Sequence, residues 1–383
     1  MTVRSPVVVI APNSFKGSMS ATEAAAAIAA GVRRVWHDAE LRLCPMADGG
    51  EGTLDAVLSA GGERRSARVS GAAGAPVDAA YGLIANDTAI IESAQVVGLT
   101  DPGATAYPVE RRSTRGLGEL IRILLDAGVK RFVAGLGGSS TNDGGAGLLS
   151  ALGLALLDAK GHSVEPTPAG LEALSRIDAS AFDARLAGTR ITILSDVDNP
   201  LCGKRGATAI FGPQKGVRPE SVPTIDARLE HFAKLSEAAV GRSAKDLPGA
   251  GAAGGLGFAL LLAGGELRSG AEVVADLLGL DTALVGADWL ITGEGRTDRQ
   301  TLLGKAPLVA ARHATAHGVP ATLISGAIER SDLAELSRVF AGCESIVFGP
   351  TTLEACVTEA AALLADRAEQ LARLFAAARS RKA

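Results

Sequence analysis

The sequence predicts an α/β fold of two domains, one of them assembled from both ends of the chain. Three observations predict it. Short β-branched apolar runs end in glycine-rich polar loops that lead into helical stretches, the strand–loop–helix unit of α/β proteins. Between about residues 68 and 92 long helices give way to successive short β-rich pieces. From about residue 289 the alternation of strand and helix resumes and runs to the end. A length of 383 residues suits two domains. The expected division is 1–71 with 287–383 for the first domain and 72–286 for an inserted second α/β domain.

The elements follow in order. Residues 7–10 form a continuous β-branched run, the pattern of a buried strand, and Ala11-Pro12-Asn13-Ser14 ends it in a turn. Ser20 with Glu23 three residues on is a capping box, and an Ala-rich helix should reach about residue 34. A strand at 41–44, a glycine loop at 45–52 and a helix from Thr53 repeat the unit. Strand-like pieces at 67–69, 79–84 and 89–92 lack intervening helices, which predicts antiparallel pairing. Then come a helix at 116–127, a strand at 131–134, a helix at 146–152 and a strand at 191–194. Helices are expected at 225–240 and 257–262. The final third should hold strands at 289–291, 321–324 and 345–348, a helix at 307–317 and a long helix from about Leu353. No internal repeat of 20–50 residues is present.

Composition narrows the function classes. Hydrophobic residues make up 47%, which is globular, and 47 glycines imply many tight turns. A net charge of −4 without a basic stripe argues against a nucleic-acid partner. The Arg379–Lys382 cluster is short and reads as a solvated helix end. Cys44, Cys202, Cys343 and Cys356 form no C-x-x-C pair or zinc spacing, so each is read as a small buried hydrophobe. The run at 7–10 is too short for a signal peptide, and the longest apolar stretch, 256–265, is half a membrane span. A cytoplasmic protein without membrane partners is expected.

The chemistry should sit where strands run into polar loops, because open α/β sheets bind ligands at the carboxyl ends of their strands. Asn13-Ser14-Phe15-Lys16-Gly17-Ser18 places a lysine between strand and helix, within reach of phosphate oxygens. Asp48-Gly49-Gly50-Glu51-Gly52-Thr53 combines close backbone approach with two carboxylates, suited to Mg2+ or to hydroxyls of a small polyol. The stretch from Gly135 to Gly145, with Gly137, Gly138, Ser139, Ser140, Thr141 and Asn142, is the strongest anion-cradle signal. In Ser195-Asp196-Val197-Asp198-Asn199-Pro200 one aspartate could accept a hydroxyl proton and the other hold a metal. Gly293-Glu294-Gly295-Arg296-Thr297-Asp298, followed by Gly304-Lys305, offers both charge signs at one strand mouth. Each loop also has a plain reading as a capped turn or a charged surface loop.

Other motifs carry less. Gly212-Pro213-Gln214-Lys215-Gly216 puts a lysine in a turn. Gly249, Gly251 and Gly254 fit G-x-G-x-x-G, but no strand precedes them, so dinucleotide binding is rejected. Walker A and protein-kinase signatures are absent. His313 and His317, at i and i+4 with no acidic motif beside them, are expected on a solvent-facing helix surface.

Taken together and in order, APNSFKGS (11–18), DGGEGT (48–53), GLGGSSTNDGGAG (135–147), SDVDNPL (195–201), FGPQKG (211–216), GAAGGLG (251–257) and TGEGRTDRQTLLGK (292–305) resemble the glycerate kinase family of the bacterial two-domain type. Ser195 is the one departure, standing where a small residue or Cys is expected. The resemblance implies two dissimilar α/β domains, one flavodoxin-like, with the active site in the cleft between them. It implies ATP- and Mg2+-dependent phosphorylation of D-glycerate to 2-phosphoglycerate; a monomer or homodimer is expected. Phosphoryl-transfer chemistry then suggests that Lys16 and the 137–142 loop meet the phosphates and that Asp196 is the base or orienter of the glycerate hydroxyl. Asp48, Gly49, Glu51 and Asp298 would shape the glycerate or metal site, Asp198 would bind metal, and Arg296 or Lys305 would meet the glycerate carboxylate. A GHMP-type kinase leaves DGGEGT and GEGRTD unexplained. A non-catalytic metabolite sensor is disfavoured by the retained Asp48, Asp196, Asp198 and Asp298.

Overall fold

The computed structural model describes residues 4–380. The chain forms two compact units. The first takes the N-terminal segment through Asp48, then Asp55–Gly61, then the chain from Ala271 onward; the second takes Gly49–Leu54 and Gly62–Gly270. The divisions therefore fall ten or more residues from the expected 71/72 and 286/287. The reason at the first is β-pairing, since residues 63–70 run antiparallel to the next strand along their whole length.

In chain order the strands are β1 (Val7–Ile10), β2 (Glu40–Leu43), β3 (Glu63–Ser70), β4 (Pro76–Ile84), β5 (Thr88–Glu92), β6 (Arg131–Gly135), β7 (Ala155–Leu157) and β8 (Arg176–Asp178). Then follow β9 (Arg190–Leu194), β10 (Glu266–Arg268), β11 (Trp289–Thr297), β12 (Ala321–Ile328) and β13 (Gly342–Ser345).

The first unit is built on a five-stranded sheet in the order β13-β12-β11-β1-β2, with every pair parallel. Numbered within the unit and read from β2, this is 2-1-3-4-5, whose switch point falls between β1 and β11. β1 is buried on both faces, which is why its four residues are all apolar. The helix Ala21–Arg33 starts at the expected capping box, with Ser20 and Glu23 bonding reciprocally. It shares an apolar cluster with the helix Ala360–Ser380 through Ala25, Ile28, Leu364 and Ala368.

Three expectations for this unit need correcting. The strand expected at 345–348 lies at β13, three residues earlier, because Thr322 to Ser325 of β12 pair with Gly342 to Ser345. Phe348 instead lies under the Arg367 guanidinium, 4.0 Å from the ring centre. The long helix from Leu353 is two helices, Leu353–Thr358 and Ala360–Ser380, separated at Glu359. Arg379 is not a free solvated end: it pairs with Asp288 at 2.7 Å, while Arg381 and Lys382 lie outside the described residues.

The second unit holds a six-stranded mixed sheet, β10-β9-β6-β5-β4-β3. The expected antiparallel pieces are β3, β4 and β5, and the rest pair in parallel. Two short features escape the sequence reading: the antiparallel pair β7–β8 and the edge strand β10. The core packs Phe232 edge-on to Phe258, 6.0 Å apart. Among the described residues no helix is long and apolar enough to cross a membrane.

Candidate active site

In the first unit, the loops after β1 and at the end of β11 meet at the switch point of the sheet. Phe15 is buried, and Phe15 and Met19 exchange backbone hydrogen bonds of 2.9 and 3.0 Å, closing a tight loop. That loop leaves Lys16 exposed at its tip. A cavity of about 530 Å³ opens there. Lys16, Asp48, Arg296, Asp298 and Lys305 all line it, so five predicted residues from three separate motifs converge on one pocket.

Each has a definite setting. The Asn13 amide lies 3.5 Å from the Asp48 carboxylate. Arg296 is largely exposed and 3.7 Å from Glu329. Asp298 spends one oxygen capping the turn 299–303, accepting from Gln300 N at 2.9 Å, so its structural role is also filled. Glu294 belongs to the same motif. It is buried in the pocket wall and accepts from Thr297 Oγ1 at 3.0 Å and Thr301 Oγ1 at 2.6 Å. Burial raises its pKa above the ordinary carboxylate value, against those two bonds and the nearby Lys305.

In the second unit, Glu92, Gly135, Leu194 and Arg268 lie abreast at the carboxyl edge of the parallel strands. The segment Gly49–Leu54 seats on this edge. A Cβ on Gly49 would come within 2.7 Å of the Leu194 side chain, so only glycine allows the approach. Glu92, which sequence reasoning missed, accepts from Leu54 N at 2.7 Å and so caps the helix Thr53–Ser59 from outside. Its pKa is raised, chiefly by burial. Gly49 is buried and Glu51 exposed, and neither lines the first-unit pocket.

The 137–142 loop differs from an open cradle. Gly138 is exposed and Gly137 half-buried, but Ser139, Ser140, Thr141 and Asn142 are buried. Ser140 Oγ donates to Val97 O at 2.9 Å, and Asn142 Nδ2 donates to Thr208 Oγ1 at 3.0 Å. Thr141 Oγ1 and Asn142 Oδ1 are buried without a hydrogen-bond partner. The N–H groups of Gly145 and Gly147, at the start of the following helix, are taken by Asp143, whose carboxylate also accepts from Thr114 N and Thr114 Oγ1, all at 2.8–3.1 Å. Lys215, read from sequence as a turn lysine, lies beneath this loop at 4% exposure. Its Nζ donates to Ser139 Oγ at 2.9 Å and to Thr141 O at 2.7 Å. Buried Arg112 bonds Ser140 O and Lys215 O, at 2.9 and 3.0 Å. The glycines of 249–257 pack against the same loop: Gly254, at φ +72°, has a Cβ position that collides with Thr141 O. The signal that could have found Lys215 is its FGPQKG setting among small and apolar residues.

The acidic loop after β9 is exposed. Asp198 is held by both oxygens to Arg205 Nη2, at 2.9 and 3.0 Å, and Asp196 is exposed beyond Leu194. Among the described residues no group of three His, Cys, Asp or Glu could hold a metal ion. The four cysteines are free, Cys44 buried and the others half-buried, so the buried reading holds only for Cys44. His317 is exposed as expected, whereas His313 is half-buried. Its ring nitrogens sit 2.7 Å from Asp281 and 3.1 Å from Glu272, and two carboxylate acceptors require an imidazolium.

Comparison with known proteins joins these segments. A sequence model of the glycerate kinase family matches residues 8–376. The chain is 42% identical to a glycerate kinase of Bacillus subtilis over 95% of its length and 96% of the relative's. It is 42% identical to the glycerate 2-kinase of Escherichia coli over 84% of this chain and 85% of that one. A crystal structure described as that of a glycerate kinase 2 from Salmonella typhimurium LT2 superposes with a TM-score of 0.85 at 40% identity, covering 98% of this chain and 99% of the other. With nearly the whole fold and every motif loop inside the matched region, the chain belongs to the glycerate kinase family and is a kinase.

Proposed function

We propose that the protein transfers the γ-phosphoryl group of ATP to the 2-hydroxyl of D-glycerate, in the cytoplasm, within glyoxylate or sugar-acid catabolism. The observation that carries the reading is the first-unit pocket, which gathers Lys16, Asp48, Arg296, Asp298 and Lys305 at the switch point of a parallel sheet. A kinase for a small hydroxy acid needs cations for the phosphates and for the acceptor carboxylate, plus groups for its hydroxyls. The names of the relatives support glycerate, and that of the Escherichia coli relative supports the 2-position.

In this reading Lys16 meets the transferred phosphoryl group, and Arg296 or Lys305 the glycerate carboxylate. Asp48, Gly49, Glu51 and Asp298 shape the acceptor site. Of the 137–142 loop, Gly137 and Gly138 are the residues with the exposure to meet phosphate; Ser139 to Asn142 act from behind, fixing the backbone. Asp196 takes the hydroxyl proton as the new O–P bond forms and the bond from the γ-phosphorus to the bridging oxygen breaks, leaving ADP. Mg2+ fits this chain as an ion carried by the phosphates, which needs only one or two protein carboxylates. A closed protein cage does not fit, since Asp198 is committed to Arg205. When bound, the ion would neutralise phosphate charge, with Asp298 as the protein ligand.

The test is ADP release from ATP, Mg2+ and D-glycerate, with the product identified by phosphorus NMR. The expected product is 2-phosphoglycerate, and Asp196→Asn should lower kcat by about a hundredfold or more. A 3-phosphoglycerate signal would overturn the regiochemistry, and turnover of the variant within about threefold of the parent would remove Asp196 as the base.

A further inference from the structure

The first-unit pocket has two unlike halves, and the proposed function uses only one. Lys16, Arg296 and Lys305 gather on its polar side, together with Asp48, Glu294 and Asp298. The chain after β13, the edge strand two places from β11, supplies a largely apolar wall: Ile346, Val347, Leu353, Cys356 and Val357, with Thr351 and Thr352 the polar residues among them. Leu353 and Val357 stand four apart on the helix Leu353–Thr358 and so share one face. They are 80% and 38% exposed although they line a concavity. A short helix normally buries its apolar face against the protein; this one turns that face to an open pocket.

We infer that this wall is the seat of the nucleobase of the phosphoryl donor. The inference rests on the kinase reading and deepens it. The cavity, about 530 Å³, has the size of sites for ligands much larger than a three-carbon acid. Its occupant must carry a polyanion at one end and an uncharged apolar body at the other. Of the two substrates of a small-acid kinase, the nucleotide alone has both. The base packs on Leu353, Cys356 and Val357, and the phosphate chain runs toward Lys16 and whichever of Arg296 and Lys305 does not meet the glycerate carboxylate. Affinity for the nucleoside therefore comes from the C-terminal segment and affinity for phosphate from the β1 and β11 loops.

Cys356 provides a reporter within the wall. The full-length protein is treated with a maleimide, and labelling of each cysteine is followed by peptide mass mapping, with Cys343 as internal reference. Saturating ADP should slow labelling of Cys356 by about fivefold or more, while inorganic triphosphate and D-glycerate leave it unchanged. In parallel, Val357→Asp should weaken ADP about tenfold by calorimetry without changing the affinity for triphosphate. Val357→Ala, which adds no charge, should shift ADP in the same direction and serves if the first variant does not fold. Glycerate-dependent ADP release combined with unprotected Cys356 overturns the base assignment and leaves the kinase reading standing. Protection of Cys356 by glycerate alone gives the wall to the acceptor and also overturns it. Folded protein that neither binds ADP nor releases it with glycerate removes the kinase reading, and this inference with it.

Discussion

A lysine ammonium at 4% exposure must find its partners inside the protein. Lys215 finds a hydroxyl and a carbonyl, both from the loop that sequence reasoning assigned to phosphate. Burial pushes its pKa down to about 7, with Asp143 opposing the shift and Arg112 adding to it. The unfolded chain holds that proton to about pH 10.4, so between pH 7 and 10 the unfolded state binds more protons. The cost of burying the charge is thus full below pH 7 and is relieved as pH rises. Wild type should therefore gain stability relative to Lys215→Met between pH 6.5 and pH 9, measured by urea unfolding of both. A pH-independent difference would show that the buried amine keeps an ordinary affinity for its proton. Lys215 also marks what the sequence hides. The Lys16 loop was legible because a lysine between a strand and a helix is a local pattern. Burial of Lys215 depends on residues 74–76 positions away. The carboxylates that hold His313 lie 32 and 41 positions away and belong to no motif.

At the scale of elements, most of the fold could be read. β1 and the helix Ala21–Arg33 were legible from a β-branched run and a capping box, both local causes. The pair β7–β8 and strand β10 were not, because three residues are too few to show alternation. The shift of β13 has a different cause: register is set by β12 and not by the strand's own apolar content. The glycine run at 249–257 has the spacing of a dinucleotide motif but no strand before it, and the structure supplies its physical purpose. It lets one segment lie flush against the 141–145 loop, with Gly144 N donating to Gly254 O at 3.0 Å. Gly254→Ala adds a methyl group against Thr141 O and a side chain at positive φ. It should cost roughly 2 kcal/mol or more. Thermal unfolding is the check, and a loss below about 0.5 kcal/mol would show that the loop can move aside.

At the scale of the molecule, the two units differ in how far apart in sequence their strands lie. Val8 of β1 pairs with Trp289 of β11, whereas the second-unit sheet is complete by residue 268. Closing so long a loop is slow, and chains fold unit by unit as they emerge. On refolding, amides of β5, β6 and β9 should become protected before those of β1 and β11. Pulse-labelled hydrogen exchange with mass spectrometry reads this directly; protection of β1 first, or of both sheets together, would contradict it. The path of the chain has a further consequence. It leaves the first unit at Gly49, returns at Asp55 and departs again at Gly62. The second unit is therefore not a single inheritable cassette. A recombination event that replaces only residues 62–270 would graft a foreign sheet beneath the native Gly49–Leu54 strip. Glu92 and Leu194, which receive that strip, would then have to match a sequence they did not evolve with. Productive chimeras between relatives should carry the six-residue strip and the long segment from the same parent.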